Sequence, residues 1–287
     1  MDERRPLSPL PAAPYRGGMA GRLKRAAVLN DLRTRAVGRN FIYRVRTTST
    51  MDDARAAAEE GAPAGTVVFA EEQTAGRGRF TGRRWVSPAG QNLYFTIVVR
   101  PTVAEAQRLS MLTPVAVANA VEQVVGLYPR IKWPNDLHLR GRKFAGILIE
   151  GEWQDERPQF ALVGIGVNVN TAPGLEETGV DRPAISLAET RGRPVPREPL
   201  LAAILTAFER ALKGAALPAL YDGWLSRLET LGRQITLSAH DGSSVDGIAE
   251  SAREDGALLV RLTTGELRAF HSGEVSLRAG TEAPAGE

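Results

Sequence analysis

The chain has 287 residues, 43% of them apolar, and a net charge of only +3 because 33 acids nearly balance 36 bases. That length supports one large domain, or one with a small companion, and the charge balance tolerates an acidic partner without demanding nucleic acid. No cysteine occurs and no apolar run reaches membrane-span length, which excludes disulfide frameworks, thiolate metal sites, cysteine nucleophiles and an integral membrane helix.

Residues 1–18, MDERRPLSPLPAAPYRGG, read as a disordered extension. They lack the apolar stretch of a signal peptide, so the cytoplasm is the default location, and Met19 is an alternative start. A helix is predicted over 20–37, ended by Gly38. FIYRVR (41–46) alternates like a strand, and Ser49 or Thr50 sits where an N-cap belongs before the short helix MDDARAAAEE. TVVFA (66–70) and NLYFTIVVR (92–100) are strand-like, and a Gly/Arg loop lies between them. A long apolar-periodic helix is predicted over 103–125. IKWPND is a short strand broken by Pro134. KFAGILIEGEW (143–153) and FALVGIGVNVN (160–170) read as an antiparallel pair. Residues 171–195 are loop-rich, and helices are predicted over 197–213 and 217–230.

From Gly232 the pattern changes to short strands with Asp-Gly and Thr-Gly turns, a small all-β module the size of an SH3-like barrel. The expected organisation is an extension (1–18), a main domain (19–231), the β module (232–279) and a frayed tail (280–287).

Two stretches could carry chemistry. EEQTAGRGRFTGRRW (71–85) packs four arginines and three glycines between Gly76 and Arg84. Glycine lets backbone N–H groups approach and cradle an anion, and arginine offers forked donors to phosphate or carboxylate. A flexible segment, solvated or loosely binding nucleic acid, is the plainer alternative, but its setting between a buried-looking strand and Trp85 favours a ligand loop. Gly76, Gly78 and Gly82 do not fit the dinucleotide fingerprint, and no Gly-Lys dipeptide exists for a Walker A loop.

The second stretch is IKWPNDLHLRGRKFAGILIE (131–150), which holds Lys132 and Lys143, two of only four lysines in the chain. Pro134, Asn135 and Asp136 suffice for a turn. Lys143 opens a buried-looking strand, which places a compact ammonium at the edge of the core. Gly146 in that strand suggests close approach of another group. Asn168 and Asn170 alternate at a strand end, equally consistent with a turn or with polar groups facing a cleft. His138, His240 and His271 are scattered, without metal-ligand spacing.

Taken in order, Ser49-Thr50, AEEQTAGRGR (70–79), KWPND (132–136), GRKFAGILIE (141–150), GIGVNVN (164–170) and GEVSLR (273–278) resemble the biotin protein ligase family. The loop runs GRGRFTGRRW, one residue longer than the family's usual form, and Met51 stands where the family usually has asparagine.

The resemblance implies an α+β fold, a mixed and largely antiparallel sheet with helices followed by the SH3-like module. It also implies a two-step, ATP-dependent biotinylation of a lysine on a biotin carboxyl carrier protein. Ser49, Thr50, Met51, Gln73, Gly76, Arg77, Gly78, Arg79, Lys143 and Gly146 would then hold biotin. Arg77, Arg79, Arg83, Trp85, Lys132, Asn135, Lys143 and Asn168 would face ATP. Lys143, Arg79 and Asp136 would be catalytic, with Asp136 assigned to Mg²⁺ or the incoming amine.

The short stretch before Ser49 leaves no room for a helix-turn-helix domain, so no sequence-specific DNA binding is expected. No membrane is expected as a partner, and monomer and homodimer both stay open. A lipoate ligase and a nucleic-acid-binding protein are the rival readings.

Overall fold

A computed structural model describes residues 21–79, 84–174, 184–214, 216–239 and 242–282, with side chains to 277. The chain builds two sheets. The larger has seven strands: β1 (Phe41–Thr47), β2 (Val67–Gln73), β3 (Leu93–Val99), β4 (Arg130–Lys132), β5 (Asp136–Leu139), β6 (Arg142–Gln154) and β7 (Arg157–Val167). Their order is β1-β2-β3-β7-β6-β5-β4. Only β1 and β2 pair in parallel, joined through α2 (Thr50–Glu59); every other pairing in the sheet is antiparallel.

The central strands β2, β3 and β7 are almost continuously apolar and buried, because both faces are covered. On one face lie α1 (Arg25–Asp31), α3 (Val103–Val125) and α5 (Arg197–Gly214), which pack around Phe69, Phe95, Ile97, Val117, Ile204 and Phe208. On the other, α2 seals a smaller cluster of Met51, Ala54, Ala58, Val68, Val98 and Leu162. Thr102 and Glu105 cap α3 reciprocally, and the left-handed Gly126 closes it.

Two further helices, α4 (Leu187–Arg191) and α6 (Leu217–Leu225), precede the second sheet. That sheet holds β8 (Arg233–Ser238), β9 (Ser244–Ala252), β10 (Leu258–Leu262), β11 (Leu267–Phe270) and β12 (Glu274–Glu282), in the order β11-β10-β9-β8-β12. Trp133 ties the two parts together, its indole N–H donating to the Gly256 carbonyl at 3.0 Å. No described helix is long and apolar enough to cross a membrane.

Four expectations need correction. The N-terminal helix covers only Arg25–Asp31, because residues 35–37 give their backbone N–H groups to the Glu209 carboxylate (2.6–2.8 Å) instead of to a helix ladder. The last main-domain helix stops at Leu225, since Ile131 and Glu229 pair backbone to backbone beyond it. The loop-rich stretch before Pro196 contains α4, started by the Ser186 side chain. Finally, β12 continues to Glu282, where a frayed tail was expected from 280. Residues 1–20, 80–83 and 283–287, which include Arg83 and all of the expected extension, lie outside the described residues, as does His240.

Candidate active site

A cleft of about 500 Å³, open to solvent, lies where α2, the β2 end, β5 and the β6–β7 pair meet. Its walls include Ser49, Thr50, Met51, Gln73, Arg77, Gly78, Arg79, Trp85, Asn135, Lys143 and Gly146. The motifs therefore converge, although up to about a hundred residues separate them in sequence.

One end is polar and fixed. The Gln73 carbonyl accepts from the Thr50 backbone N–H (2.9 Å) and hydroxyl (3.1 Å), and its amide donates to Ser87 Oγ at 3.1 Å. Thr96 donates to Thr50 Oγ1 at 2.9 Å from below. Ser49 Oγ accepts the Met51 N–H, which starts α2 and fixes the Ser-Thr pair at the helix entrance. Such a network presents hydroxyl and amide groups in set directions and suits a small polar ring system.

The floor is bare backbone. Gly146 of β6 and Gly166 of β7 stand directly opposite each other, and the Trp85 indole lies over them. A Cβ at Gly166 would come within 2.6 Å of Trp85 Nε1, and one at Gly146 within 2.8 Å of Trp85 Cζ3. Only glycine permits that approach. The indole N–H is buried without a partner in the protein, which leaves a donor for a bound group. Gly76 also serves packing, since a Cβ there would strike the Trp85 carbonyl at 2.5 Å.

The other end is cationic. Lys143 Nζ sits 2.6 Å from Asp136 Oδ1 and 5.4 Å from the centre of the Trp85 ring. Arg77 reaches Asp52 at 2.7 Å and lies 3.8 Å from Glu150. Arg79 donates to the Gly273 carbonyl at the start of β12, which brings the second sheet to the cleft edge. Burial pushes the Arg79 guanidinium down, against the attraction of Asp136 and Glu274. Burial also lowers the Lys132 pKa, although Asp136, Glu274 and Glu229 pull it back up. Burial alone would raise the Asp136 carboxyl, yet Lys143, His138 and Lys132 together hold it below the usual carboxylate range.

Lys132, Asp136 and Asn168 are not part of the cleft wall itself. Lys132 and Asp136 are register partners across the β4–β5 hairpin, and Asp136 touches the wall through Lys143. Asn135 shapes the wall by donating to the Ile147 carbonyl at 2.6 Å. Asn168 and Asn170 follow the end of β7. Asn168 Oδ1 is buried without a protein partner, whereas Asn170 is spent on Gln91 and Val195. Sequence reasoning missed Ser87 and Thr96 as supports and Gly164 and Gly166 as floor; the alternating glycines of GIGVN opposite Gly146 were the available signal.

A polar socket, a glycine floor and a group of lysine and arginine side chains thus meet in one cleft on the mixed sheet of an α+β unit, an arrangement suited to an anionic small molecule. The family model described as "Biotin/lipoate A/B protein ligase family" matches residues 41–168, and "Biotin protein ligase C terminal domain" matches 230–278. A biotin–[acetyl-CoA-carboxylase] ligase of Paracoccus denitrificans is 38% identical over 229 residues, 77% of this chain and 93% of the relative. A bifunctional ligase/repressor of Bacillus subtilis (strain 168) is 30% identical over 265 residues, 90% of this chain and 80% of the relative. Among solved structures, a biotin protein ligase from Aquifex aeolicus in complex with biotin and ATP superposes with a TM-score of 0.69 at 28% identity, covering 84% of this chain and 99% of that one. The chain belongs to the biotin protein ligase family.

Proposed function

We propose that this chain is an ATP-dependent ligase that forms biotinyl-5′-AMP and transfers biotin to a lysine of a biotin carboxyl carrier protein. The observation that carries the reading is the single cleft that joins the Ser49–Thr50–Gln73 socket to Lys143, Arg77 and Arg79. The C-terminal match to a biotin ligase module favours biotin over lipoate as the acid.

In the first step a carboxylate oxygen of biotin attacks the α-phosphorus of ATP, and the bond to pyrophosphate breaks. Two anions must meet, so the barrier falls when fixed cations neutralise both. One well-placed donor of this kind contributes about 3–4 kcal/mol. Lys143 takes this role by leaving Asp136 for the carboxylate and α-phosphate. Arg77 and Arg79 flank it on the loop. Lys132, Asn135 and Asn168 serve the nucleotide side, and Trp85 covers the mixed anhydride. In the second step the carrier lysine attacks the acyl carbon, and AMP departs with the bond it shared with biotin.

Among the described residues no three acids or histidines cluster as a metal cage. A magnesium ion carried by the triphosphate would keep phosphate oxygens and waters as ligands, and Asp136 would be the protein carboxylate to hold it. The metal would neutralise phosphate charge. A cytoplasmic location accompanies this reading.

Calorimetric titration of biotin, with a non-hydrolysable ATP analogue present, tests the proposal. Binding that Lys143→Ala weakens is expected. Absence of heat with biotin under every condition would oppose it.

A further inference from the structure

His138 and Glu229 form a buried pair that the reaction as described does not use. His138 Nδ1 lies 2.6 Å from Glu229 Oε1, and the two side chains are 9% and 11% exposed. Removing two such groups from water is costly and is not repaid by apolar packing. The pair's position offers a reason for it.

His138 lies on β5, two residues after Asp136, opposite Arg130 of β4 and Lys143 of β6. Glu229 lies in the segment between α6 and β8. That segment holds β4 through the Ile131 N–H to the Arg227 carbonyl (2.8 Å), the Glu229 N–H to the Ile131 carbonyl (2.9 Å), and the Trp133 N–H to Thr230 Oγ1 (3.0 Å). The backbone bonds tie β4 to that segment, and the His138–Glu229 contact adds a side-chain tie from β5, which also pairs with β4 and β6. Together they set the hairpin whose ends carry Lys132 and Asp136. We propose that His138 and Glu229 are positioning residues for the nucleotide: they brace the β4–β5 hairpin against the α6–β8 segment, so that Lys132 and the Asp136–Lys143 pair face the triphosphate at a fixed spacing.

A second observation agrees. Glu229, Asp136 and Glu274 are the anions that favour the charged form of half-buried Lys132, while Lys143 opposes it. Loss of the Glu229 charge therefore weakens a phosphate contact as well as the brace. The socket of Ser49, Thr50 and Gln73 is built from other elements, so the effect falls more on ATP than on biotin, which feels it only through Lys143.

The inference rests on the ligase reading. The test is steady-state pyrophosphate release with biotin and ATP, each varied in turn, for wild type, His138→Phe, Glu229→Gln and the double variant. His138→Gln, which keeps a donor, serves as the milder change should His138→Phe fold poorly. Each single variant is expected to raise KM for ATP roughly tenfold, with a clearly smaller rise in KM for biotin. The double variant should be no worse than the singles, because both remove one interaction, and His138→Gln should recover part of the loss. Equal rises in both KM values, additive losses, or an unchanged KM for ATP in an active enzyme would overturn the inference alone. A wild type that releases no pyrophosphate would overturn the ligase reading and the inference with it.

Discussion

The Lys143 ammonium is held between the Asp136 carboxylate, at 2.6 Å, and the Trp85 ring, whose centre is 5.4 Å away. The anion and the π-face hold the side chain in place, and among the described residues no other lysine forms the cleft wall. Lys143→Ala should lower biotin-dependent pyrophosphate release by about 10²–10³-fold. Lys143→Arg should recover little of it, because a rigid planar fork cannot follow a migrating phosphate as a point charge does. A coupled pyrophosphate assay checks both.

Gly166 and Gly146 give Trp85 its seat. Gly166→Ala should push the indole out and weaken biotin-plus-nucleotide binding by at least about tenfold. Tryptophan emission shows the displacement, read against Trp85→Phe because the chain has four tryptophans. Unchanged emission and affinity would mean that the indole does not depend on this floor.

How much of this was legible in the sequence depended on how local the physics was. The 103–125 helix was readable because its capping box, apolar period and terminal glycine lie within the segment itself. The β6–β7 hairpin and the strands of the second sheet were readable for the same reason, from alternation and turn residues. The 20–37 helix was misread because its fate is decided by Glu209, more than 170 residues away. The buried Arg197–Glu71 pair, 2.8 Å long, was invisible for that reason too, although Glu71 sits two residues from Gln73. In the site, the loop and lysine motifs could be seen, but the shared floor of Gly146 and Gly166 exists only once β6 and β7 pair.

Glu209 gives a stability prediction. Burial alone would raise its carboxyl, but the N–H groups of Arg35, Val37 and Ala36 hold it below the ordinary value. A depressed native pKa means that the contribution is complete above the unfolded carboxylate value of about 4.3 and is lost as pH falls through the native one. Glu209→Gln should therefore be less stable than wild type at neutral pH by about 1–3 kcal/mol, and the two should converge in acid. Thermal melts across that range check the sign.

Trp133→Phe keeps the buried ring but loses the donor to the Gly256 carbonyl. It should cost about 1 kcal/mol of stability. It should also loosen the second sheet first, seen as faster amide exchange around Gly256 than in β3. Uniform exchange would show that the contact does not link the two parts.

The most direct test of the central claim is isotope exchange between pyrophosphate and ATP, catalysed by the purified chain with magnesium and one acid at a time. Exchange that depends on biotin and is not supported by lipoate is the predicted result. Exchange with lipoate alone, or none with either acid, would contradict the account.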